Sequence, residues 1–182
     1  MSKKSVLLLL LLIAAYAQAQ KADTAAATKA IVKDSTEKVQ TISLTEYGIN
    51  ARIDIPVIEG YEPIIHNTGK KKENKILVVV SAAFRLYIEA KPTTFSDAEI
   101  YLANMKKADT DLWFNQNPAD PLPTMIINEP NAYLMKRGKE YKLAYVVTID
   151  KVRYTLTSAN YIVYDLDDAL RYIRLAKTFF PK

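Results

Sequence analysis

Residues 131–160 read NAYLMKRGKEYKLAYVVTIDKVRYTLTSAN, a β-meander with its register written into it. Gly138-Lys139 is the Gly-X pair that a two-residue type II′ hairpin turn requires. That turn sets Arg137 opposite Glu140 and Leu134 opposite Leu143. A second two-residue turn at Asp150-Lys151 sets Ile149 opposite Val152, Val147 opposite Tyr154 and Tyr145 opposite Leu156. Asp-Lys is not a favoured type I′ pair, so a longer second turn is the alternative. With both registers in place, one face collects Leu134, Leu143, Tyr145, Val147, Ile149, Val152, Tyr154 and Leu156. The other collects Lys142, Ala144, Thr148, Arg153, Thr155 and Thr157. A slip of one residue would mix the two sets, so the pattern fixes the pairing.

Downstream, DLDDALRYIRLAKTFFPK closes the chain. Asp165 is placed as a helix N-cap, with Asp167 and Asp168 in the first turn and Arg171, Arg174 and Lys177 later, as the helix dipole prefers. Leu166, Ala169, Leu170, Ile173, Ala176 and Phe180 form one apolar stripe, which predicts a helix packed on the apolar face of the sheet. Upstream, Ile49, Ala51, Ile53 and Ile55 alternate with Asn50, Arg52 and Asp54 until Pro56, the period of a half-buried strand. Lys70–Asn74 reads as a charged turn. Ile76–Val80 is continuously apolar, which predicts a strand covered on both faces. Ala82, Phe84, Leu86 and Ile88 then alternate with Arg85, Tyr87 and Glu89 until Pro92. Ser96-Asp97-Ala98-Glu99 has capping-box spacing. The helix it opens runs to about Trp113, with Ala98, Leu102, Met105, Ala108 or Asp109, and Leu112 along one side. FNQNPADPLPT, residues 114–124, is too rich in proline to be anything but a loop.

The chain begins MSKKSVLLLLLLIAAYAQAQ: two lysines, a short apolar run and small residues at Ala15, Ala17 and Ala19. This is the layout of a secretory signal peptide over residues 1–19, and the apolar run is about half of the roughly twenty residues that a spanning helix needs. No other segment is long and apolar enough to span, so the mature chain is expected to carry no transmembrane segment. The expected location is periplasmic or secreted. With no cysteine in the chain, a bacterial lipoprotein anchor and disulfides are both excluded. Residues 20–40 are small, polar and charged and read as a flexible tether. Residues 41–182 are then one domain, long enough for one core and too short for two. The formal net charge is +5, and two of the positive charges lie in the leader. No dense basic stripe or recognition motif is present, so nucleic acid is not an expected partner.

The fold class expected is α/β (α+β), an antiparallel sheet with helices packed on it. The element order, with INARIDIPVIEGYEP (49–63) running into an EGY turn and DALRYIRLAKTFF (168–180) closing on a late aromatic, resembles the PsbP-like fold. That group includes the Mog-type Ran-binding proteins and small exported bacterial proteins of the DcrB kind. The likeness covers roughly residues 41 to 181. It implies an α/β/α sandwich and accessory or binding roles. It implies no reaction, and it carries no functional residue over.

The residues show little chemistry. The single histidine, His66, lies in IIHNTG and reads as a loop residue. No serine sits in a G-x-S-x-G context, and one histidine without cysteine does not make a zinc site. Asp165, Asp167 and Asp168 lack the glycine and distal glutamate of a calcium loop, and capping explains them. No glycine-rich phosphate loop is present, so neither a metal nor a cofactor is expected and no catalytic residue is named. The candidate binding surface is the loop Trp113–Thr124, through Trp113, Phe114, Asn115 and Asp120, together with Tyr87 and Tyr133 on the mixed sheet face. Against this stand two plainer roles. Trp113 would close the end of its helix, and the tyrosines would pack under a second helix layer. The leading expectation is an exported, non-enzymatic accessory protein of the bacterial cell envelope that binds another envelope protein. The alternatives are a periplasmic binder of a small ligand or glycan, and a hydrolase acting through Asp109, Asp111 or Asp120. The last requires two of those carboxylates to face one cleft.

Overall fold

The structure, a computed structural model, describes residues 37–69, 74–81, 84–93, 98–116, 122–158 and 165–181. The signal peptide and most of the tether lie outside the described residues. The order of elements is β1 (Val39–Ser43), β2 (Ala51–Pro56), β3 (Ile64–Asn67), β4 (Asn74–Val79), β5 (Arg85–Pro92), α1 (Ala98–Gln116), β6 (Thr124–Glu129), β7 (Ala132–Arg137), β8 (Glu140–Ile149), β9 (Val152–Ser158), α2 (Leu166–Ala176) and β10 (Phe180–Pro181). Seven strands form one sheet in the order β3-β4-β5-β9-β8-β7-β6, and β1-β2-β10 form a second. Every pairing is antiparallel. The protein is an α+β fold with two helices packed on antiparallel sheets.

The meander takes the register written in its sequence. Arg137 faces Glu140 and Leu134 faces Leu143. Ile149 faces Val152, Val147 faces Tyr154 and Tyr145 faces Leu156. Gly138 turns at φ +59°. The second turn is also two residues long, with Asp150 at φ 50° and Lys151 at φ 62°. Cross-strand packing on both sides of that turn imposes a left-handed backbone on two residues that disfavour it. The amide of Thr93 donates to the Lys151 carbonyl at 2.8 Å and holds the turn in place.

The two faces of the large sheet bury different partners. Leu134, Leu143, Tyr145, Tyr154 and Leu156 join Ile53 and Ile55 of β2 and Ala169, Leu170, Ile173 and Ala176 of α2 in the main core. The Asp165 carboxylate caps α2, accepting from the amides of Asp167 at 2.8 Å and Asp168 at 3.1 Å. Tyr172 of the same helix stacks on Phe84 at 4.6 Å, and its hydroxyl accepts from the Arg85 amide at 2.6 Å. The opposite sheet face receives α1.

Four expectations are corrected. First, α2 ends at Ala176, so Phe180 is not on its stripe. Thr178 turns the chain, donating its amide to the Leu175 carbonyl at 3.0 Å. Phe179 then fills the core 4.9 Å from the Tyr154 ring, and Phe180 lies exposed in β10 opposite Arg52. Second, His66 lies not in a loop but in β3, an edge strand, where it pairs with Leu77. Third, β4 is not covered on both faces: Ile76 and Val78 are buried, while Leu77 and Val79 are half-buried because α1 packs over β8 and not over β4. Fourth, residues 37–40 belong to the fold rather than to a tether. Val39 opens β1, and the Glu37 carboxylate pairs with both Arg171 and Arg174 of α2.

Candidate functional site

The α1 side of the large sheet carries the candidate residues. Ala98, Tyr101, Leu102, Met105 and Asp109 recur at helical spacing and point inward, onto Tyr133, Met135, Ala144 and Val146. Asp109 occupies the inward position for which Ala108 was an alternative. Ala108 and Leu112, expected on the same stripe, are exposed, Leu112 by 49%. The helix packs chiefly on β8, so only part of its circumference is covered.

Asp109 meets two groups on the sheet. The Tyr133 hydroxyl donates to its Oδ2 at 2.5 Å, and the Lys142 ammonium donates to its Oδ1 at 3.1 Å. Tyr133 pairs with Ala144 and Lys142 with Met135, so the two side chains are diagonal neighbours on one face. Tyr133 is 1% exposed and the Lys142 side chain 5%, whereas Asp109 retains 28%. Burial pushes the Tyr133 hydroxyl well above the ordinary tyrosine range, and the charge and hydrogen bond of Asp109 push it further. Tyr133 is therefore a fixed proton donor. Beside the trio is a cavity of about 80 Å³ lined by Met105, Asp109, Tyr133, Lys142, Thr157 and Ser158. It is polar and roomy enough to hold water. The trio fastens α1 to the sheet.

The face continues past the helix. Tyr133, Ala144, Thr157 and Tyr87 lie in register across β7, β8, β9 and β5, and Leu77 of β4 follows. Leu77, Val79 and Tyr87 are half-buried and belong to neither core, and Ile64 at the edge is 55% exposed. Among them stand Lys75, whose ammonium lies 4.8 Å from the Tyr87 ring centroid, and the exposed Arg85. Lys91 pairs with Glu89 at 2.9 Å.

The six surface candidates are thus divided. Tyr87 and Tyr133 share one row of one face, but Tyr133 is buried beneath α1 rather than displayed. Trp113, Phe114 and Asn115 were assigned to a loop, yet α1 continues through them to Gln116. Asp120 lies outside the described residues. Of the hydrolase carboxylates, Asp109 faces the sheet and Asp111 pairs with Lys107 on the exposed side of α1. Two residues apart on a helix, they point in different directions and share no cleft. Lys142 was the member of the trio that sequence reasoning missed. Its signal was a lysine on the helix-covered face opposite a carboxylate on an inward stripe.

No family model matches the chain, and no curated protein matches it in sequence. Among solved structures it is similar to the solution structure of cyanobacterial PsbP (CyanoP) from Synechocystis sp. PCC 6803. The TM-score is 0.49 at 10% identity, over 82% of this chain and 96% of that one. The likeness is one of fold alone.

Proposed function

We propose that the protein is an exported, non-enzymatic protein of the bacterial cell envelope that binds another envelope protein through the open half of its α1 face. One observation carries the reading: over β3–β5 the sheet presents Ile64, Leu77, Val79 and Tyr87 with no described helix above them. Apolar side chains grouped on a rigid sheet and interspersed with Lys75 and Arg85 form a surface suited to a protein partner. Export is supported by the leader sequence. A non-catalytic role is supported by the divergence of Asp109 and Asp111 and by the position of His66 on an exposed edge. No helix among the described residues is long and apolar enough to cross a membrane.

The test is site-specific photo-crosslinking in living cells, with a benzophenone side chain at position 87 and, as a control, at position 139 in the Gly138-Lys139 turn. A discrete adduct with one envelope protein from position 87 alone is expected, and Leu77→Asp should abolish it. Equal adducts from both positions, or none from 87, would refute the reading.

A further inference from the structure

The open half of the α1 face has a width and a charge, and both bear on what can cover it. α1 packs chiefly on β8, and β9, β5 and β4 follow β8 across the sheet. Strands lie about 4.8 Å apart, so β5 is about 10 Å and β4 about 14 Å from β8. Neighbouring helices pack with their axes about 8–10 Å apart. A second helix laid beside α1 would therefore run over β5, with β4 under its outer flank.

Register arranges the side chains beneath that position in rows. Ile64, Val79 and Arg85 form one row across β3, β4 and β5; His66, Leu77 and Tyr87 form the next; Lys75 and Glu89 form the third. The middle of the surface is apolar, with Arg85 at one end and Lys75 at the other. Rows on one face repeat every two residues, so these two cations stand about 14 Å apart along the strands. Neither forms an ion pair with a described residue. Glu89 is the single carboxylate among the described residues of this surface, and it pairs with Lys91 at 2.9 Å. The surface is thus cationic, which disfavours a second copy of itself and favours an acidic partner.

We infer that the partner docks an acidic amphipathic helix here, beside α1 and along β5. This rests on the protein-binding role proposed above and names the chemistry of the partner. The apolar stripe of the helix lies on Leu77, Val79 and Tyr87, and its carboxylates meet Arg85 and Lys75. At about 1.5 Å of rise per residue, 14 Å is roughly nine residues, and the same-face positions nearest to that spacing are i+7 and i+8. The docking segment therefore carries carboxylates at i and at i+7 or i+8, with an apolar residue at i+3 or i+4 above Tyr87.

The test extends the benzophenone experiment at position 87 in living cells. The adduct is digested, and the linked segment of the partner is identified by mass spectrometry. The expected segment has that spacing of carboxylates and apolar residue and contains no proline. Arg85→Glu alters an exposed side chain and should cut the adduct yield about fivefold or more, and a lysine in place of one of the partner's two carboxylates should restore it. Lys75→Glu should give a similar loss, and it stands in for Arg85→Glu if circular dichroism shows that variant to be misfolded. No adduct from position 87, or an adduct only with lipid or with a second copy of this chain, would overturn the inference together with the protein-binding role. An adduct on a basic segment, on one whose carboxylates alternate at strand spacing, or with a yield unchanged by the folded charge variant, would overturn the inference and leave that role standing.

Discussion

Replacing Tyr133 by Phe removes one oxygen from beneath α1 and leaves the ring in place. No cavity opens in the apolar layer, so the cost is that of the hydrogen bond to Asp109, 2.5 Å long. A hydrogen bond to a carboxylate contributes about 1.5–3 kcal/mol. Asp109 keeps Lys142 and is 28% exposed, so water can satisfy its freed oxygen. The cost therefore falls at the low end, about 1.5 kcal/mol. For a domain of this size that is a fall in Tm of about 3–6 °C. Urea denaturation followed by circular dichroism gives the free energy. Amide exchange along α1 shows whether the helix loosens before the sheet, as expected if the trio is its fastening. A double-mutant cycle with Asp109→Asn should give a coupling of about 1 kcal/mol. A Tyr133→Phe protein within about 0.5 kcal/mol of the parent, with unchanged exchange in α1, would show that the trio does not anchor the helix.

Three further outcomes are expected. Because burial raises the Tyr133 hydroxyl in the folded state, the unfolded chain releases its proton first, near pH 10. The contribution of Tyr133 is therefore fully present below about pH 10 and is lost above it, at up to about 1.4 kcal/mol per pH unit. Tyr145, Tyr154 and Tyr172 are shifted up as well, so urea melts between about pH 9 and 11.5 should show the parent falling more steeply than Tyr133→Phe by about one proton. In the β8–β9 turn, Asp150→Asn with Lys151→Gly relieves two left-handed residues and should raise stability by about 1 kcal/mol, read as a higher urea midpoint. Glu37→Ala removes a 10% exposed carboxylate shared by Arg171 and Arg174. It should cost about 1–2 kcal/mol in thermal melts, more than an exposed pair contributes.

The meander and α2 were legible because each carried two agreeing signals. In the meander, alternation agreed with the Gly138-Lys139 turn; in α2, the apolar stripe agreed with the Asp165 cap. β3 was not legible, because four residues, IIHN, are too few to show a period and its exposure at the sheet edge leaves it little pattern. β10 was not legible either: it is two residues long and exists through its pairing with β2. The end of α1 was not legible, because the prolines at 118, 121 and 123 mask a helix that continues through Trp113 to Gln116. A proline restricts the residue before it, not the four before that. Of the candidate surface, the row joining Tyr87 to Tyr133 followed from register alone. The depth at which each lies depends on where α1 crosses the sheet, and no local pattern encodes that placement.

The small sheet has a consequence for the order in which the chain can settle. Its middle strand, β2, is flanked by β1 from the start of the fold and by β10 from its end. The Asp54 amide donates to the Thr178 hydroxyl across 124 residues, and Arg174 reaches Glu37 across 137. These are long loop closures, and they form only when the last segment is present. A chain in which Thr178 to Pro181 have not yet docked can complete the β7–β9 meander, whose turns are local, but it cannot secure β2 on both sides. Thr178 to Pro181 are thus the latch that closes the first part of the fold.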